Sequence, residues 1–110
     1  TVAHGAPVVP QLVRGRPTEV VTAAAGPDPA TLEPIREMMR AVVTEGSAGQ
    51  LAPLGEVRGK TGTAEFTGDG RAHGWFVGYR GDVAFAVLVV DGGASSAAVE
   101  VTGRFLSALP

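Results

Sequence analysis

Three runs rich in β-forming residues follow one another closely, at about 56–66, 73–80 and 83–91, and the spacers between them have room for little except turns. Residues Thr67 to Ala72 join the first pair, and Arg80-Gly81-Asp82 makes a tight turn between the second pair. A parallel neighbour would need a crossover of about a dozen residues, so the economical layout is an antiparallel meander. The third run, Val83 to Val90, is apolar throughout, which predicts a strand covered on both faces.

Two helices are expected to do the covering. Thr31 reads as the N-cap of the first, which places Pro34 at the third helical position, where an N–H has no partner to lose. A start at Asp28-Pro29 would put Pro34 inside the helix at a cost of about 3 kcal/mol. Leu32, Ile35, Met39, Val42 and Val43 then recur at helical spacing as the core face, Arg36, Glu37 and Arg40 face out, and Gly46 stops the helix. Met38-Met39 reads as core filler. The second helix starts at a Ser96 cap, carries Ala98, Val101, Phe105 and Leu109 as its stripe, and places Glu100 in its first turn. Ser47 to Leu54 reads as a loop. In residues 1–27, Val8-Val9-Pro10 and Glu19-Val20-Val21 read as short edge strands or extended connections, and His4 as a surface residue. The fold class expected is α+β.

Composition narrows the function. A 110-residue chain can build one core, though a marginal one. No apolar run reaches the length of about 18 residues that a membrane span needs. The net charge of −2 argues against a nucleic-acid partner. There is no cysteine, and the two histidines, His4 and His73, have no acidic ligand pattern beside them, so no metal site is expected.

Chemistry concentrates at Gly59-Lys60-Thr61-Gly62-Thr63. Lys60 is the only lysine, and the other eight cationic residues are arginines. A compact ammonium serves where a point charge must meet an anion or a proton must be carried, which a planar guanidinium does less well. A phosphate-binding loop needs Gly-x-x-x-x-Gly-Lys-Thr between a strand and a helix. Here Leu54 stands where the first glycine belongs, and a β-type run follows. Lys-Thr-Gly is also the element of penicillin-recognising serine enzymes. Side chains alternate along a strand, so Thr61 and Thr63 project on one side, and Gly62 between them lets a ligand or a neighbouring backbone come close.

The surroundings of that tripeptide carry a resemblance. Lys60-Thr61-Gly62-Thr63-Ala64-Glu65, then His73-Gly74-Trp75-Phe76-Val77-Gly78-Tyr79, then an apolar strand closed by Asp91-Gly92-Gly93, resembles the C-terminal part of a class B penicillin-binding protein. Pro10-Gln11-Leu12-Val13 and the segment Met38 to Gly49 resemble the stretch before the Lys-Thr-Gly strand. Within the class, the likeness is to the actinobacterial penicillin-binding protein A type. The family's other motifs, Ser-x-x-Lys and Ser-x-Asn, are missing: Val57 stands three positions before the single lysine, and the chain has no asparagine. The expectation is that residues 1–110 form the C-terminal fragment of one transpeptidase domain, a β-lactamase/transpeptidase-like fold with an antiparallel sheet against helices, inactive by itself.

The resemblance implies a serine D,D-transpeptidase that cross-links peptidoglycan stem peptides ending in D-Ala-D-Ala through an acyl-enzyme and is acylated by β-lactams. An alternative on the same fold is a β-lactam-sensing or β-lactam-hydrolysing domain. Lys60 and Thr63 take the catalytic roles: Lys60 as a charge toward the substrate carboxylate and the Ser-x-Asn hydroxyl, and Thr63 through its backbone N–H in the oxyanion hole. Lys60, Thr61, Gly62, Thr63 and Glu65 bind substrate, the strand edge near Glu65 taking the extended peptide by β-augmentation. No cofactor is implied. The partner is the N-terminal part of the same domain, which carries the two missing motifs. The implied location is extracytoplasmic, anchored to the membrane through a segment not in this chain. Trp75 and Phe76 read as packing, one in the core and one under the site; His73 reads as a strand-entry residue and Asp91 as a turn former.

Overall fold

The computed structural model describes residues 1–20, 25–66 and 68–110. Its elements, in chain order, are α1 (Pro29–Thr44), a 3₁₀ turn (Gly49–Leu54), β1 (Arg58–Glu65), β2 (Ala72–Arg80), β3 (Val83–Val89) and α2 (Ser95–Ala108). The sheet is the expected antiparallel meander in the order β1-β2-β3. Gly81, at φ +55°, turns β2 into β3 with Asp82 in a two-residue loop that positive φ favours. The class is α+β.

The register sorts the sheet into two faces. Gly59, Thr61 and Thr63 align with Gly78, Phe76 and Gly74, which in turn align with Phe85, Val87 and Val89. This inner face meets α2 and the 3₁₀ turn, and the core gathers there: Val43, Ala48, Leu51, Val57, Phe76, Ala98, Val99 and Leu106 are all buried. The outer face carries Lys60, Gly62, Trp75, Val77, Ala86 and Leu88. Among the described residues it stays largely open, with Trp75, Val77 and Leu88 exposed and Val90 beyond them 69% exposed. The expectation that the third strand is covered on both faces therefore fails: Phe85, Val87 and Val89 are half-buried, and Ala84, Ala86 and Leu88 are exposed.

Both helices depart from the sequence reading in phase. α1 starts at Pro29, and Asp28, not Thr31, is its cap, the carboxylate accepting the Ala30 N–H at 2.9 Å. Pro34 then lies inside the helix. Its missing bond falls on the carbonyl of Ala30, an exposed residue that water can satisfy, while the Asp28 cap and the proline at the first helical position offset the loss. Arg36 and Arg40 do not simply face out. Arg36 donates to the Val2 and Ala3 carbonyls, and Arg40 donates to those of Gly55 and Val57. On the α1 face, Leu32 and Val43 are buried. Ile35, Met39 and Val42 are half-buried and Met38 is exposed, so the methionine pair lines an open groove rather than filling the core.

In α2 the buried positions are Ala98, Val99, Thr102 and Leu106, while Val101 and Phe105 are exposed. The helix is thus rotated from the predicted stripe. Its N-cap is Ala94 rather than Ser96, and Glu100 lies past the first turn, paired with Arg104 one turn on. Of the two alternatives for residues 8–10, an edge strand or an extended connection, the structure shows no strand, and Val8 and Val9 are exposed; Val21 of the second segment lies outside the described residues. The stretch after Ser47 contains a 3₁₀ turn that buries Leu51, which its Gly/Ala/Pro composition did not signal.

Candidate active site

Among the described residues β1 has a strand neighbour on one side only, so its other edge is open. The Phe66 N–H donates to the Arg71 carbonyl at 3.3 Å, continuing the β1–β2 register by one step. Bonded and non-bonded pairs alternate in an antiparallel ladder. Lys60, Gly62 and Ala64 therefore bond to β2, while the N–H and C=O groups of Thr61, Thr63 and Glu65 point out of the open edge. The alternation that sends the Thr61 and Thr63 side chains inward thus turns their backbone toward solvent.

The side chains singled out in the sequence do not share one face. Lys60 rises from the outer face, where it lines a groove of about 500 Å³ with Val77 and with Ile35, Met38, Met39 and Val42 of α1. Its stem lies along that apolar wall, and its ammonium donates to the Thr61 carbonyl at 2.7 Å, which brings the charge round to the open edge. Thr61 and Thr63 stand on the inner face. The Thr61 hydroxyl is 2.8 Å from the Ser47 hydroxyl, and the Thr63 oxygen accepts the Ser95 N–H at 3.2 Å. The ammonium thus lies at the open edge, while the two hydroxyls stand on the adjoining inner face, held by Ser47 and by the start of α2.

The remaining residues frame that edge. A Cβ on Gly62 would come within 3.3 Å of the Trp75 Cβ, so the close approach at this glycine is by Trp75 across the outer face. Phe76 is fully buried, as expected of the core member of the pair, whereas Trp75 is exposed on the outer face beside the motif. Glu65 is exposed at the end of β1 opposite Ala72.

Past Glu65 the hairpin is braced by a cluster that the sequence reading missed. Arg71 holds Asp91 through Nε at 3.2 and 3.1 Å and through Nη2 at 2.5 Å. The guanidinium also lies 5.1 Å from the centre of the Phe66 ring, which stacks on His73 at 4.2 Å. His73 Nδ1 accepts the Asp91 N–H at 3.0 Å. The hydrogen bond from Arg71 holds the Asp91 carboxyl below the usual aspartate range, and the same bond raises the Arg71 guanidinium. Asp91 adopts φ +55°, the turn-forming role expected of it.

Ser47 and Ser95 were also missed as site neighbours. No short-range pattern could have pointed to them, because Ser47 lies 14 residues and Ser95 lies 32 residues from its threonine partner. Among the described residues, no group of three or more His, Cys, Asp or Glu side chains is arranged to hold a metal ion.

Comparison with protein families matches residues 3–109 to the model described as the penicillin binding protein transpeptidase domain. Neither curated proteins nor solved structures give a significant match.

Proposed function

The chain belongs to the penicillin-binding protein transpeptidase family, and from that premise we propose that it supplies the carboxylate-binding and oxyanion side of a serine D,D-transpeptidase. One observation carries this reading: within the Lys60–Glu65 segment the open edge of β1 bears an ammonium and a row of outward backbone groups, with two threonine hydroxyls on the adjoining inner face. A peptide ending in D-Ala-D-Ala needs those partners. Its carboxylate takes the Lys60 charge and the Thr61 and Thr63 hydroxyls, and its extended backbone pairs with the strand edge as far as Glu65.

The chemistry is acyl transfer. A serine from an N-terminal segment of the same domain, bearing Ser-x-x-Lys, attacks the penultimate D-Ala carbonyl and expels the terminal D-Ala. The amine of a second stem peptide then attacks the acyl-enzyme, releasing the serine. The Thr63 N–H, directed out of the edge, takes the developing oxyanion, and Lys60 also faces the hydroxyl of Ser-x-Asn. β-Lactams carry the same carboxylate and acylate the same serine. On this reading the chain by itself is inactive, and the domain works outside the cytoplasm, held to the membrane by a segment that the chain does not contain. No helix among the described residues is long and apolar enough to cross a membrane. The narrower likeness to the actinobacterial penicillin-binding protein A type rests on the sequence motifs.

Lys60→Ala in the complete domain tests the assignment, read as the rate of acylation by a fluorescent penicillin. A charge-assisted hydrogen bond contributes about 1.5–3 kcal/mol, so a fall of about 10- to 150-fold is expected with the thermal unfolding midpoint unchanged. Near-normal acylation would remove Lys60 from the site. Turnover of a stem peptide beside hydrolysis of the penicillin separates a transpeptidase from a sensor or a β-lactamase.

A further inference from the structure

We infer that Ser47 is a positioning residue for substrate binding, holding the Thr61 hydroxyl so that Thr61 and Thr63 together offer two protons to one carboxylate at the edge of β1. The inference rests on the function proposed above and extends it to a residue outside the Lys-Thr-Gly strand.

Each of the two threonine hydroxyls has a serine partner. The Ser95 backbone N–H can only donate, so it occupies a lone pair of the Thr63 oxygen and leaves the Thr63 proton for another acceptor. The Ser47 hydroxyl lies 2.8 Å from the Thr61 hydroxyl, and either oxygen of that pair can donate. When Ser47 donates, the Thr61 proton is released in the same way, and an anion at the edge favours that orientation because each bond polarises the next. Hydroxyls on alternate residues of a strand sit about 6–7 Å apart, a span that a carboxylate bridges with one bond to each oxygen.

Ser47 is also rigidly presented. The Glu45 N–H closes the last turn of α1 on the Ala41 carbonyl, and the Ala48 N–H reaches back to the Val42 carbonyl at 3.0 Å. The Leu51 N–H bonds to the Ala48 carbonyl, and Ala48 and Leu51 are both fully buried. The exposed Ser47 side chain therefore projects from backbone that is locked on both sides. A hydroxyl meant to orient another needs such support.

The test compares Ser47→Ala and Ser47→Thr in the complete domain, using a β-lactam with a free carboxylate and its methyl ester as acylating probes. Ser47→Ala is expected to slow acylation by the free acid about threefold to tenfold, the worth of one neutral hydrogen bond, and to leave the ester rate unchanged. Ser47→Thr, which keeps the hydroxyl, is expected to restore the rate, and Ser47→Ala is expected to add nothing to Thr61→Ala. Equal slowing with both probes would show a merely structural role and overturn the inference. Slowing by Thr61→Ala without slowing by Ser47→Ala would overturn it while leaving the proposed function standing. No slowing by Thr61→Ala or by Lys60→Ala would overturn both.

Discussion

Gly59 and Gly78 face each other across β1 and β2, and the buried ring of Phe76 lies against them. A Cβ on Gly59 would come within 2.3 Å of the Phe76 Cζ and 2.7 Å of the Val77 carbonyl oxygen. Phe76 cannot step aside, because it is fully buried and stacked against Phe85. Gly59→Ala should therefore destabilise the chain by about 1–3 kcal/mol through overpacking. Thermal unfolding checks this: a midpoint within about 2 °C of the parent would show that Phe76 has room to move. At this scale the motif reads differently in structure than in sequence. Gly59 serves the core, and Gly62 serves the packing of Trp75. Lys60 was legible because it is the only lysine, whereas the partners of Thr61 and Thr63 were not, since they come from distant elements.

The β1–β2 hairpin and the end of β3 are joined at the scale of elements. Asp91 takes both the Arg71 fork and a positive φ, and the neighbouring Gly93 N–H donates to the Ala72 carbonyl. Because the folded carboxyl of Asp91 titrates below its unfolded value, the stabilisation from this pair is complete above pH of about 4 and is lost as pH falls through the folded value. Amide exchange of Gly93, corrected for intrinsic rates, should lose protection on acidification below pH of about 4. In Asp91→Asn it should be less protected near neutrality and lose that acid dependence. Protection that follows pH identically in both proteins would assign the joint to something other than the ion pair.

The strands were legible at nearly their observed bounds because period and turn chemistry are local signals. The helix phases were not. Pro34 argued for a start at Thr31, but tertiary burial of Leu32 and the Asp28 cap favoured one helix from Pro29. In α2 the first N–H is met by the Thr63 hydroxyl from another strand, so a search for a cap within the helix's own sequence chose Ser96.

Across the whole molecule, one face of the sheet has α2 packed on it, and among the described residues the other is largely bare apart from the groove that Lys60 and Val77 share with α1. The Cα radius of gyration of 15.6 Å exceeds the roughly 13 Å of a compact domain of this length, as expected for an open sheet with an extended N-terminal stretch. Trp75, Val77, Leu88 and Val90 are too many exposed apolar side chains in one region to be incidental. The purified chain is expected to bind an apolar fluorescent dye, and Leu88→Lys is expected to weaken that binding without lowering the unfolding midpoint. A dye-silent chain would show that the face is closed by contacts other than those described.

Residue order alone determined the antiparallel meander, the α+β class, the family and the strand that bears the candidate site. All of these follow from alternation, turn residues and a motif read over neighbouring positions. Only the tertiary structure decided which face each helix buries, that the Lys60 ammonium reaches the open edge from the face opposite the threonines, and that Ser47, Ser95, Arg71 and Asp91 support the two ends of the site. The supporting contacts of Ser47, Arg71, Asp91 and Ser95 join residues 14 to 32 positions apart, and their geometry exists only once the core has closed around Phe76.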